Sequence, residues 1–167
     1  MLTADQIREI LRLQPHPIEG GYFVETYRSA QSFPAGVLPV SYHGERSAAT
    51  AIYYLLTPDT FSALHRLRTD EIFHFYLGDP VEMLQLTPDG AGHTIILGQD
   101  IAAGMRLQHV VPAGTWQGSR LVPGGKFALL GTTMSPGFDP RDYESANRRE
   151  LLARYPRQAE MIQRLTR

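Results

Sequence analysis

The stretch HRLRTDEIFHFYLG, His65 to Gly78, decides how this chain is read. It is the densest group of ionisable residues in the sequence, and a polar turn at Arg68-Thr69-Asp70 divides it in two. His65 and Glu71 lie six residues apart across that turn, a spacing at which side chains from adjacent antiparallel strands converge on one sheet face. In the second half, period-two alternation groups Glu71 with Phe73, Phe75 and Leu77 and sends Ile72, His74 and Tyr76 to the other face. A carboxylate on an aromatic, apolar face is costly to bury unless it is paired, hydrogen-bonded or protonated. Glu71 is therefore the residue most in need of a partner.

Working outward, Gly, Pro and Asp punctuate the chain every 8–15 residues from Gly21 to about Thr133, with short β-branched and aromatic runs between them. The runs are 22–27, 48–56, 71–77, 81–86, 94–97, 108–111 and 126–132, and this spacing predicts an antiparallel sandwich or barrel. Thr87-Pro88-Asp89-Gly90 is a turn between two of them. Thr3 and Gln6 fit a capping box for a short first helix that Pro15 stops. After Ser135-Pro136-Gly137 helix returns, first over 143–152 and then from Pro156 onward. The expectation is one domain over residues 1–167, an all-β core over about 22–133 with a helical tail over about 140–167.

A chain of 167 residues, 43% hydrophobic and 20% charged, is ordinary globular material. A net charge of -1 lacks the basic field that nucleic-acid binding needs. The absence of cysteine removes disulfides, thiolate metal sites and cysteine nucleophiles. No apolar run approaches the ~18 residues of a membrane span, and the charged amino terminus is unlike a signal peptide. These features predict a cytoplasmic protein with no nucleic-acid or membrane partner.

Two motifs carry a family resemblance. His65, Glu71 and Gly78 align with the first motif of the cupin superfamily, with Leu67 where that motif has a second His. Pro112-Ala113-Gly114-Thr115-Trp116-Gln117 aligns with the second motif, with Gln117 in the place of its His. More narrowly, PHPIEGGYFVETYRS (15–29), AIYYLLT (51–57), HRLRTDEIFHFYLGDP (65–80), VVPAGTWQ (110–117) and SPGFDPRDYESA (135–146) resemble the uncharacterised cupin branch DUF985, or cupin 5. The resemblance implies a jelly-roll β-barrel with a small-molecule pocket, and a homodimer by similarity to the sugar-nucleotide epimerase subgroup. It supplies no reaction.

His65, Glu71 and Gln117 are the expected polar cluster of that pocket, holding a small polar ligand. His65 would be the general base and Glu71 its orienting partner or acid, since imidazole titrates near neutral pH. Gln117, Trp116, Phe73 and Tyr53 would line the pocket, and His74 joins them only if a bulge reverses the parity of its strand. Two of four usual metal ligands are replaced, so no metal is expected; were a divalent ion present, His65, Glu71, Gln117 and His74 would be its donors. Three functions stay open: an isomerase or epimerase working by acid–base chemistry, a non-catalytic binding or sensing module, and a metal-dependent oxygenase or isomerase.

Overall fold

The computed structural model describes residues 2–39 and 42–167. Helix α1, Ala4–Leu11, starts at the Thr3–Gln6 capping box and ends at Arg12, whose φ of 55° is left-handed. Thirteen strands follow: β1 (Gln14–Pro15), β2 (Tyr22–Arg28), β3 (Ser32–Phe33), β4 (Arg46–Ser47), β5 (Thr50–Leu56), β6 (Ser62–Arg66), β7 (Glu71–Gly78), β8 (Val81–Leu86), β9 (Gly92–Leu97), β10 (Gln108–Val111), β11 (Trp116–Leu121), β12 (Ala128–Met134) and β13 (Glu144–Ser145). Helices α2 (Arg148–Arg154) and α3 (Ala159–Arg164) close the chain. No helix among the described residues is long and apolar enough to cross a membrane.

The strands form two antiparallel sheets, in the orders β1-β2-β5-β12-β7-β10 and β13-β6-β11-β8-β9, beside a small β3-β4 pair. Tyr54, Leu56, Phe73, Phe75, Val81, Met83, Leu97, Leu121 and Leu130 fill the space between the sheets. α2 and α3 cover the outer face of the five-stranded sheet through Leu64, Leu84, Leu86, Trp116, Leu151, Tyr155, Ile162 and Leu165. α1 covers part of the other sheet through Ile7, Leu13, Leu55, Phe127 and Leu129. The pattern is the jelly-roll type, all-β with short terminal helices.

Three expectations change. His65 and Glu71 do not sit on neighbouring strands of one sheet: β6 and β7 belong to opposite sheets, so the turn at 68–70 carries the chain across the sandwich and the two side chains meet across its interior. Leu77 leaves the interior face, because the pairing of β12 slips between Leu129 and Leu130 and places Tyr76 in a bulge; Leu77 packs with the α1 cluster instead. The helix expected over 143–152 begins only at Arg148, capped by the Asn147 side chain, because Glu144 and Ser145 pair with Arg66 and His65 as β13. Strands β6 and β11, absent from the expected runs, complete the second sheet.

Gly78 shows why its motif ends in glycine. Its φ is 105°, and a Cβ there would strike the Phe127 carbonyl, so the β7–β8 turn excludes any side chain. Asp70 performs a similar structural task, accepting 2.8 Å from the Ala113 N–H and joining the turns that precede Glu71 and Gln117.

Candidate functional site

At one end of the sandwich interior lies a cavity of about 60 Å³, room for roughly two waters at ~30 Å³ each. Its polar wall is His16, Glu19, His65, Glu71, Thr132 and Tyr143, with Glu25 and Thr50 beside them; Phe23, Ile52, Leu67, Met134 and Phe138 make the apolar wall. Among the described residues, no Lys or Arg lines it.

His65, 1% exposed, is fixed at both faces. Its Nδ1 lies 2.8 Å from the Ala63 carbonyl, which can only accept, so Nδ1 carries the proton and Nε2 is bare in the neutral ring. Tyr143 stacks on the imidazole at 4.8 Å between centroids and 16° between planes. His16 has the opposite tautomer: its Nδ1 accepts the N–H of Glu19 at 2.9 Å and that of Ile18 at 3.4 Å, which leaves the proton on Nε2. Both Nε2 atoms stand 3.9 Å from Glu19 Oε2, beyond hydrogen-bond length. Glu19 Oε1 accepts from the Ser62 hydroxyl at 2.5 Å. The loop that brings Glu19 here turns through Gly20 and Gly21, at φ of 101° and 70°, and is clipped down by Arg167 Nη1 donating to the Ile18 carbonyl at 3.1 Å.

Glu71 finds its partner across the sandwich: Gln117 Nε2 donates to Glu71 Oε2 at 2.6 Å. Gln117 Oε1, also buried, has no hydrogen-bond partner among the described residues. Burial raises the Glu71 carboxyl above its ordinary range and the nearby Glu19 charge adds to the rise, opposed by His65, Thr132 and Gln117. Burial lowers the His16 imidazole, against the attraction of Glu19, and raises the Tyr143 phenol, which therefore stays protonated.

The polar row continues away from the cavity. His65, Gln117, Gln85 and His93 are direct cross-strand neighbours over β6, β11, β8 and β9. The Gln85 amide lies 2.7 Å from His109 Nε2 and 3.1 Å from His93 Nε2, and Arg106 donates to His109 Nδ1 at 2.8 Å. Burial, then Arg106 and His93, push His109 down to about 4.

Of the residues named from sequence, His65 and Glu71 face the cavity, with Gln117 bonded behind Glu71. Four others lie elsewhere. Trp116 is on the outer face of its sheet, packed under α2 and α3 with Arg66 over its ring at 4.6 Å. Tyr53 is on the outer face of β5 with the α1 cluster, edge-on to Tyr76. Phe73 faces inward but belongs to the apolar core below the cavity. His74 keeps the outward parity of its strand, and its Nε2 lies 3.0 Å from the Thr133 hydroxyl. His16, Glu19 and Tyr143 went unremarked although all three stand in the strings PHPIEGG and DPRDYES; the cue was the ionisable content of loops rich in Gly and Pro.

The profile of the cupin superfamily family DUF985 matches residues 5–146, most of the chain. The chain belongs to this family. Among this cupin's relatives, a protein from Shewanella oneidensis, SO0799, is 35% identical, with a TM-score of 0.88 over 100% of this chain and 99% of that one. A hypothetical protein from Leishmania major is 32% identical, with a TM-score of 0.88 over 99% of each chain. The uncharacterised protein YML079W of Saccharomyces cerevisiae is 32% identical over 133 residues, 75% of this chain and 66% of the yeast protein, just under two thirds of its length. Oxalate decarboxylase of Bacillus subtilis shares the fold at a TM-score of 0.53 and 14% identity, over 92% of this cupin and 37% of that chain.

A metal of the kind described for that decarboxylase, a Mn(II) centre, does not fit the donors here. Leu67 places an apolar, buried side chain at the second ligand position, and Gln117 offers a neutral amide whose nitrogen is turned to Glu71. Of the four motif positions only His65 and Glu71 keep strong donors, fewer than a first-row ion takes, and the neighbouring His16 holds its Nδ1 on backbone N–H groups. Among the described residues, no group of three or more His, Asp or Glu side chains has a metal-holding arrangement.

Proposed function

We propose that this cupin binds a small polar molecule in the cavity beside His65 and acts on it by proton transfer, as an isomerase or epimerase does α to a carbonyl. The observation that carries the reading is the fixed tautomer of His65. With Nδ1–H held by the Ala63 carbonyl, a bare Nε2 faces the cavity, which is what a general base requires. Glu19 would stabilise the imidazolium formed when His65 takes a proton, and the Tyr143 phenol and His16 Nε2–H are donors for the charge that develops on the carbonyl oxygen. Glu71 and Gln117 hold the opposite wall.

The cavity volume of about 60 Å³ and the lack of a lining Lys or Arg argue against a sugar nucleotide, whose diphosphate needs both space and positive charge. The reading includes a homodimer through the β10 edge, where Leu107 and Val110 are 48% and 44% exposed beside Tyr76.

The test is an NMR fragment screen of the labelled chain with small hydroxy-carbonyl compounds, followed by exchange of the bound compound's α-proton in deuterated water. Fragments should shift the resonances of His65 and Tyr143, and His65→Gln should abolish exchange while the fold is retained. Binding without exchange would leave a binding module; shifts confined to other surfaces would refute the site.

A further inference from the structure

We propose that the occupant of this cavity is a small organic cation, a protonated amine on a short carbon frame, seated between Glu19 and Glu71. The proposal rests on the ligand-pocket reading and narrows it to a chemical class.

Charge is the first argument. Of the acids that line the cavity, Glu25 is neutralised by Arg28 through contacts of 2.9 and 2.7 Å. Glu19 and Glu71 have no such partner: Glu19 takes a hydroxyl from Ser62 and Glu71 an amide from Gln117. His16 cannot compensate them, because its Nδ1 already accepts two backbone N–H groups and so cannot take a second proton. Arg167 stays outside the lining, held on the Ile18 and Glu19 carbonyls, and its charge reaches the cavity only from behind that loop. His65 is thus the one lining side chain able to carry a positive charge against two carboxylates, so the interior repels anions at neutral pH and attracts cations.

Hydrogen-bond polarity is the second. His65 Nε2, Glu19 Oε2 and the carboxylate of Glu71 are acceptors that outnumber the two donors, Tyr143 O–H and His16 Nε2–H, and the 3.9 Å gaps around Glu19 Oε2 are too wide for the protein to close itself. An ammonium group brings three donors and no acceptor. Phe23, Phe138 and Tyr143 make part of the wall aromatic, a surface that suits a cation, and Ile52 and Met134 suit a short carbon chain. Burial first, and then the Glu19 charge, raise the Glu71 carboxyl, and the second, like-charge part of that rise is what such a ligand relieves.

The full-length, isotope-labelled chain is titrated with ethanolamine, ethylene glycol and glycolate, which share a two-carbon frame and one hydroxyl but differ in charge. Ethanolamine should give saturable shifts at His65 and Gln117 and bind at least ~10-fold more tightly than ethylene glycol, with glycolate giving no shift there. In Glu19→Gln the ethanolamine preference should fall below ~10-fold. The proposal is overturned if glycolate binds as tightly as ethanolamine, if the margin over ethylene glycol is under ~10-fold, or if ethanolamine causes no saturable shift at about 50 mM, far above the tens-of-micromolar limit for four heavy atoms. Binding at His65 of glycolate as tightly as ethanolamine, or of glycol within ~10-fold of it, would remove the cation and leave the pocket reading standing. Silence from all three would remove the cation, and the fragment screen would then judge the pocket by itself.

Discussion

Replacing Asp142 by Asn leaves the Arg46 guanidinium buried without its counter-ion. The two side chains are 1% and 3% exposed, and two bonds of 2.8 Å join Arg46 Nε and Nη2 to the carboxylate. Arg46 Nη1 also donates to the carbonyls of His43 and Glu45, at 2.8 and 2.9 Å, and Asn would leave those bonds intact. The loss is therefore mainly of this pair, with a longer contact of 3.6 Å to the part-exposed Arg68 lost beside it, and breaking one half of a buried pair costs about 3–5 kcal/mol. For a chain of this size each kcal/mol moves Tm by about 2–4 °C, so Asp142→Asn should melt about 6–20 °C lower by calorimetry at pH 7. The pair also anchors the segment that sets Tyr143 on His65, so the NMR resonances of both rings should move. Replacing both partners by apolar residues, Arg46→Met with Asp142→Leu, should recover more than half of the lost stability, because no unpaired charge then remains. A fall of less than about 3 °C in Asp142→Asn would show that the guanidinium keeps access to water and would refute the latch.

Gly78→Ala should destabilise by at least about 1–2 kcal/mol in urea melts, from positive φ alone before the clash with the Phe127 carbonyl is added. Stability should fall as pH drops from about 6.5 towards about 4, where His109 itself gains a proton, because His109, His16 and His74 are all held below their ordinary values and the unfolded chain takes protons first. Glu71, shifted the other way, offsets part of that loss; a urea midpoint that stays flat down to pH ~4.5 would contradict the assignment, and His109→Gln should shallow the slope. Sedimentation should give twice the chain mass of 18.7 kDa, reduced to a single mass by Val110→Arg; a single mass for the unaltered chain would remove the dimer from the reading.

His65, Glu71 and Gln117 could be named from sequence because each sits within a few residues of a motif landmark, and the two turns at 68–70 and 112–114 bring those motifs together. The residues that complete the cavity could not. Glu19 and His16 come from a loop more than forty residues before His65, and Tyr143 from a segment more than seventy after it; only the order of strands in the two sheets decides that these loops meet. Trp116 and Tyr53 failed for a different reason. Aromatic content says that a side chain packs but not on which face, and a shift of one residue in register reverses every side chain of a strand. The same rule explains why the outward parity of His74 was readable, since no bulge lies between it and Glu71, whereas Leu77 lies beyond the bulge at Tyr76. The start of β13 was hidden because its two residues gain strand geometry only by pairing with β6.

The two imidazoles of the cavity carry their protons on opposite nitrogens, leaving His65 Nε2 bare beside Glu19. Long-range 1H–15N correlation spectra of the neutral rings read this directly. The expected spectra show Nδ1–H for His65 and Nε2–H for His16, with added ligand shifting His65 Nε2 while its Nδ1 stays fixed. An Nε2–H tautomer at His65, or a ligand response that bypasses that nitrogen, would contradict this assignment.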